Sequence, residues 1–130
     1  MAGDRFDEGL QVRWEVLGAE HVDRALERAG DFDRPLQELV TRYCWGEVWT
    51  RPGLDRRTRS LLNVAMLTAL NRPNELAGHV RGAVTNGCSA AEISEVILQA
   101  AIYCGVPAAI DSSRVARVAR EALEEAGAMG

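Results

Sequence analysis

The run SAAEISEVILQAAIYCG, from Ser89 to Gly105, carries both a helix start and a helix stop. Ser89 and Glu92 have the S-x-x-E form of a capping box, in which each residue satisfies a backbone N–H of the other. Ile93, Val96, Ile97, Ala100 and Ala101 recur at spacings of three and four, which places them on one helical face. Gly105 interrupts the run, and Pro107 opens a last helix that carries Ile110, Val115, Val118, Ala119, Ala122 and Leu123 and ends near Gly127.

The same grammar extends upstream. Asn71-Arg72-Pro73 is a turn, Asn74 is the expected cap of a helix reaching Asn86, and Gly87 stands where a left-handed C-cap belongs. Asp55 is the expected cap of a helix through Leu70 that contains LLNVAMLTAL, apolar on nearly every face and therefore expected to be central and buried. Asp33 and Pro35 open a helix to Trp49 with an apolar stripe of Leu36, Leu39, Val40, Tyr43, Cys44 and Val48, ended by Pro52-Gly53. Residues 8–17 and 20–29 read as two short helices split at Gly18, with few large apolar side chains of their own. They are expected to pack on the main body or on a neighbouring subunit. No segment alternates with a period of two, so the fold class is all-α, a compact bundle of about six to seven helices.

Composition bounds the function. One hundred and thirty residues make one domain, with residues 1–32 as an N-terminal helical extension. All 15 basic residues are arginines, and against 19 acidic ones they leave a net charge of −4, which argues against nucleic acid as a partner. Charges and glycines interrupt every apolar run before it reaches bilayer length, so no membrane partner is expected. The polar start MAGDRFDEG is unlike a signal peptide. Cys44, Cys88 and Cys104 are odd in number and widely spaced, which fits neither a disulfide framework nor a zinc site. Buried, reduced thiols in a cytoplasmic protein are expected.

A few polar residues occupy apolar helical positions. Glu47 follows Tyr43 by four and Leu36 by eleven, which puts a carboxylate on the expected inward stripe, where it needs a partner or a raised pKa. A helix-end glutamate reaching out to solvent is the bland alternative. His79 lies at the edge of the face formed by Leu76, Val80, Ala83 and Val84, where an imidazole is either a hydrogen-bonded core residue or a proton shuttle. His21 is expected at the surface. Arg42, Arg51, Arg59, Arg72 and Arg81 flank the ends of the central helices. Most are expected to be solvated or paired, Arg42 with Glu38 for instance. A dicarboxylate would need one or two of them as clamps. Trp45 and Trp49, four apart, are core packing unless they line a pocket. No P-loop, G-x-G-x-x-G, H-E-x-x-H or G-x-S-x-G occurs, and two distant histidines make a histidine-rich metal site improbable.

Three strings carry a resemblance: TRYCWGEVWTRPGL (Thr41 to Leu54), the DRRTRSLLNVAML that follows it, and ELAGHVRGAVTNGCSAAEISEVILQAAIYCGVPAA from Glu75. The chain resembles the carboxymuconolactone decarboxylase family along nearly its whole length, and VLGAEHVDRAL upstream looks like the N-terminal extension of the family's protocatechuate-branch members. The resemblance implies an alkylhydroperoxidase D-like helical fold, a ring-like homo-oligomer (trimer or hexamer), and a small dicarboxylate lactone as substrate. It also implies decarboxylation to β-ketoadipate enol-lactone without a cofactor. His79 is then the proton or oxyanion donor and Glu47 its partner. Arg51 and Arg72 become candidate carboxylate clamps, and Trp45, Tyr103 and Cys104 candidate pocket walls. The thiol branch of the same superfamily carries a C-x-x-C pair four residues before its histidine. Aligned on His79, those positions are Arg72 and Glu75, which weighs against a thiol-dependent peroxidase acting through Cys88 or Cys104. The remaining alternative is a non-catalytic helical assembly protein.

Overall fold

A computed structural model describes residues 4–129. Residues 1–3 and 130, including the start of the polar N-terminal stretch, lie outside it. The described residues form helices and no strand: α1 (Phe6–Leu17), α2 (Ala19–Arg28), α3 (Arg34–Leu39), a π-helical segment (Val40–Val48), α4 (Arg56–Ala69), α5 (Pro73–Thr85), α6 (Ala90–Cys104) and α7 (Val106–Met129). They group into two compact units, residues 1–55 and 56–130.

In the first unit α1 packs on the π segment through backbone contact. A Cβ at Gly9 would stand 1.9 Å from the Thr41 carbonyl oxygen and 2.8 Å from the Gly46 nitrogen, so no other residue fits that crossing as it stands. The closeness seats Val12 and Val16 against Trp45 and Trp49, which form the unit's own core. The N-terminal helices thus have an apolar partner within residues 1–55. The expected single helix from Pro35 to Trp49 instead changes hydrogen bonding at Val40, as the Trp49 N–H to Cys44 carbonyl bond of 3.0 Å illustrates. The change of pitch and the docking of α1 bury Thr41, Trp45, Gly46 and Trp49. The expected stripe of Leu36, Leu39, Tyr43 and Val48 is exposed, a correction that carries Glu47 outward with it.

In the second unit α4, α5, α6 and α7 enclose a core of Val64, Leu76, Val80, Ala83, Cys88, Ile93 and Ile97 with Ala109, Ala116 and Ala119 from α7. The capping box is present: the Glu92 N–H donates to Ser89 Oγ (3.1 Å) and the Ser89 N–H to Glu92 Oε1 (2.9 Å). Gly105 ends α6 with a φ of +120°, a conformation that costs a Cβ-bearing residue energy. Two expectations need correction. Arg72, not Asn74, is the N-cap of α5, because Pro73 takes the first helical position. Helix α4 buries only Ser60, Val64 and Thr68, since its neighbours cover one face and leave Leu62, Met66 and Leu70 exposed. Helix α7 turns small residues inward (Ala109, Ser112, Ala116, Ala119) and leaves Ile110 and Val118 exposed, which lets it approach its neighbours closely.

Candidate active site

Each candidate residue can be followed from its helix. In the first unit the π segment sets Trp45 and Trp49 on one side, stacked with centroids 4.7 Å apart and rings 22° from parallel, and both are buried. Glu47 points the other way, half its side chain open to solvent, and meets Arg5 Nε at 3.3 Å. The expected buried carboxylate is therefore a surface ion pair, of a kind worth about 0–1 kcal/mol. Arg51 lies beyond the helix end, exposed, its N–H donating to the Val48 carbonyl at 3.1 Å.

Beneath this face sits an arginine that sequence reasoning passed over. Arg13 on α1 is only 7% exposed, and its terminal nitrogens donate to Thr41 Oγ1 (3.1 Å) and Gln37 Oε1 (3.0 Å). Both acceptors are neutral, and burial pushes its pKa below the usual arginine value. Cys44, exposed as a residue, has its thiol pushed up by burial, an effect that the nearby Arg13 charge and a hydrogen bond from Trp49 oppose. The surface belongs to the residue as a whole and the crowding to its sulfur.

In the second unit His79 sits half-buried on α5 between the buried Gly78 and Val80, as the periodicity predicts. Its Nδ1 lies 3.3 Å from Nδ2 of Asn63 on α4. Asn63 was not a candidate, yet there was a signal: it is an amide inside LLNVAMLTAL, three residues after the buried Ser60. At the other end of the helix pair, Asn86 Nδ2 donates to Ser60 Oγ at 2.9 Å, so polar bonds lock the α4–α5 register at two points. Arg72, exposed, caps the start of α5.

Tyr103 and Cys104 come together on one wall of a groove of about 460 Å³ between α4 and α6, with Thr58, Leu61, Leu62, Ala65, Val96, Gln99 and Ala100. The lining includes neither His79 nor Arg72. Of the three cysteines only Cys88 is buried as a whole residue; the expectation of burial is corrected for Cys104, while Cys44 exposes other atoms and keeps its sulfur crowded. Among the described residues no three His, Cys, Asp or Glu side chains gather where a metal ion could be held, and no helix is long and apolar enough to cross a membrane.

Residues 34–118, from the start of α3 into α7, match the carboxymuconolactone decarboxylase family. The chain belongs to the carboxymuconolactone decarboxylase family. The 4-carboxymuconolactone decarboxylase of Acinetobacter baylyi is 45% identical over 123 residues, spanning 95% of this chain and 90% of that protein. The nitrosuccinic acid decarboxylase of Metarhizium robertsii is 50% identical over 107 residues, 82% of this chain and 75% of that one. The family match takes in the π segment and the Asn63–His79 pair. The longer alignment leaves out only seven residues of this chain, so it extends well into the N-terminal helices that precede the family match.

Proposed function

We propose that this chain is a carboxy-lyase that converts 4-carboxymuconolactone to β-ketoadipate enol-lactone without a cofactor, in the protocatechuate branch of aromatic catabolism. The observation that carries the reading is the 45% identity to a 4-carboxymuconolactone decarboxylase over 95% of the chain. The chemistry is self-consistent. The leaving carboxylate sits on a ring carbon next to a C=C conjugated with the lactone carbonyl. Loss of carbon dioxide sends the electron pair through the alkene onto the lactone oxygen, and the resulting dienolate is protonated on the carbon alpha to the carbonyl. The substrate is its own electron sink, which leaves the protein to hold a dianion, stabilise an oxyanion and manage a proton.

His79 supplies the donor to the developing charge. Glu47 is its partner, a role for which it must exchange its ion pair with Arg5. Arg51 and Arg72 clamp the carboxylates and Tyr103 and Cys104 wall the pocket, although the groove that they line in one chain includes neither His79 nor Arg72; Trp45, buried against Val12 and Val16, packs as core. The fold is alkylhydroperoxidase D-like and the enzyme a cytoplasmic homo-oligomer, trimer or hexamer. Leu62 and Met66 on α4 and Leu70 just past its end support assembly, because they expose an apolar stripe at four-residue spacing, and Leu62 also lines the apolar groove. Three cysteines, none of them in a disulfide, fit a reducing compartment.

A second reading has its own support in the 50% identity to a nitrosuccinic acid decarboxylase. Nitrosuccinic acid is also a dicarboxylate with an internal sink, since loss of carbon dioxide beside the nitro group leaves a nitronate. An absorbance assay with enzymatically generated 4-carboxymuconolactone, run beside carbon dioxide release from nitrosuccinic acid, separates the two. Turnover of the lactone alone is expected. Turnover of nitrosuccinic acid alone selects the second reading, and turnover of neither sinks both.

A further inference from the structure

We propose that Asn63 fixes the tautomer of His79, holding the ring neutral with its proton on Nε2, so that His79 serves the reaction as a hydrogen-bond donor and not as an imidazolium acid or a base. The inference rests on the placement of His79 in the site made above and specifies its role there.

The argument starts from one contact. The amide nitrogen of asparagine has two N–H donors and no lone pair to offer. Asn63 Nδ2 lies 3.3 Å from His79 Nδ1, and with the amide turned this way Nδ1 is the acceptor. A neutral imidazole that accepts at Nδ1 carries its proton on Nε2. Protonating Nδ1 would turn an N–H against an N–H and forfeit the bond. The contact is held from both sides. Asn63 precedes the fully buried Val64 on α4, His79 precedes the fully buried Val80 on α5, and the Asn86–Ser60 bond sets the register of the two helices. Asn63 does not act on substrate; it is a positioning residue that acts through the imidazole, and it takes the orienting part that the reading above left to Glu47.

This decides between the two roles open to His79. As the C–CO₂ bond breaks, its electron pair moves through the alkene and the lactone oxygen becomes anionic. An Nε2–H aimed at that oxygen stabilises the charge by a hydrogen bond without giving up its proton. A neutral imidazole is a poor acid, so the proton that ends on the ring carbon is supplied by water, whose hydroxide is neutralised by buffer. Atoms and charge balance: one carboxylate leaves as CO₂, and one C–H bond forms with a solvent proton.

The test is made on the full chain labelled with ¹⁵N-histidine, with the His79 ring signals assigned by their loss in His79→Gln. At neutral pH the wild-type ring is expected to show an unprotonated Nδ1 and a protonated Nε2. Asn63→Leu is expected to mix the two tautomers and lower kcat by roughly ten- to a hundredfold, the usual scale for lost outer-shell support, with KM little changed. Asn63→Asp, nearly isosteric, is expected to place a proton on Nδ1. A protonated Nδ1 in the wild type overturns the proposal. So does an Asn63→Leu protein with wild-type tautomer and kcat. Should Asn63→Leu fail to fold, the wild-type and Asn63→Asp spectra decide alone. The spectra require no turnover, so a protein inert to both substrates would sink the functional reading while leaving the tautomer assignment to be judged separately.

Discussion

Replacing Gly9 by alanine tests whether α1 is part of the machinery that shapes the π segment. The added Cβ would meet the Thr41 carbonyl oxygen at 1.9 Å and the Gly46 nitrogen at 2.8 Å. Ordinary van der Waals contact begins near 3.4 Å, so the two helices must part by about 1.5 Å. Overpacked cores usually lose about 1–3 kcal/mol by rotamer changes. Here the obstructing atoms are backbone and cannot turn aside, and parting the helices also draws Val12 and Val16 off Trp45 and Trp49. A loss of about 3 kcal/mol is expected, from the top of that range. At roughly 4–8 °C per kcal/mol for a small unit, the melting temperature should fall by more than about 10 °C. The assay has a built-in reporter, because Trp14, Trp45 and Trp49, the only three tryptophans in the chain, all lie in the first unit. Tryptophan fluorescence should therefore lose its cooperative melt at lower temperature. Gly53→Ala, where a Cβ meets nothing within 4 Å, should stay within about 0.5 kcal/mol of wild type. A Gly9→Ala protein that melts with the wild type would refute the reasoning.

Further outcomes follow from the same structure. His79→Ala should lower kcat by about 10²-fold or more with the far-ultraviolet circular dichroism unchanged; near wild-type turnover would remove the imidazole from the reaction. Burial raises the Cys44 pKa, so the folded state binds that proton more tightly than the unfolded chain does. The associated stability is present below the ordinary thiol range and is lost as pH rises through the raised value. Iodoacetamide should accordingly label Cys44 more slowly than free cysteine at pH 7, with the rate still climbing above the ordinary thiol range, as followed by peptide mass spectrometry. Met66→Glu, on the exposed stripe of α4, should reduce the mass measured by light scattering if that stripe joins copies of the chain; an unchanged oligomer would place the interface elsewhere.

Signals that act within a few residues were legible in the sequence. Ser89 and Glu92 cap α6 reciprocally, Gly18, Gly87 and Gly105 stand at helix ends, Arg42 pairs with Glu38, and His79 lies at the edge of its buried face. What a fixed period of 3.6 could not show was the change of hydrogen bonding at Val40. Every position from there to Val48 is displaced from its α-helical bearing, so Thr41 turned inward and Tyr43, Glu47 and Val48 outward. Helix α4 failed for another reason. Its uniformly apolar run says that several faces want cover but not which of them the chain itself supplies. Arg13 and Asn63 escaped because their partners are 28 and 16 residues away, a separation that no local pattern encodes.

The π-helical stretch makes this part of the molecule sensitive to chain length as well as to chemistry. Its hydrogen bonds close one residue later than those of an α-helix, so a deletion of one position between Val40 and Val48 could be absorbed by reverting to the tighter coil. Side chains beyond the cut would then keep their bearing, with Trp49 still turned toward Val12 and Val16, although the segment is one residue shorter. Where such sequences are aligned, the placement of a gap in this stretch amounts to deciding which residues share the buried side with Trp45 and Trp49.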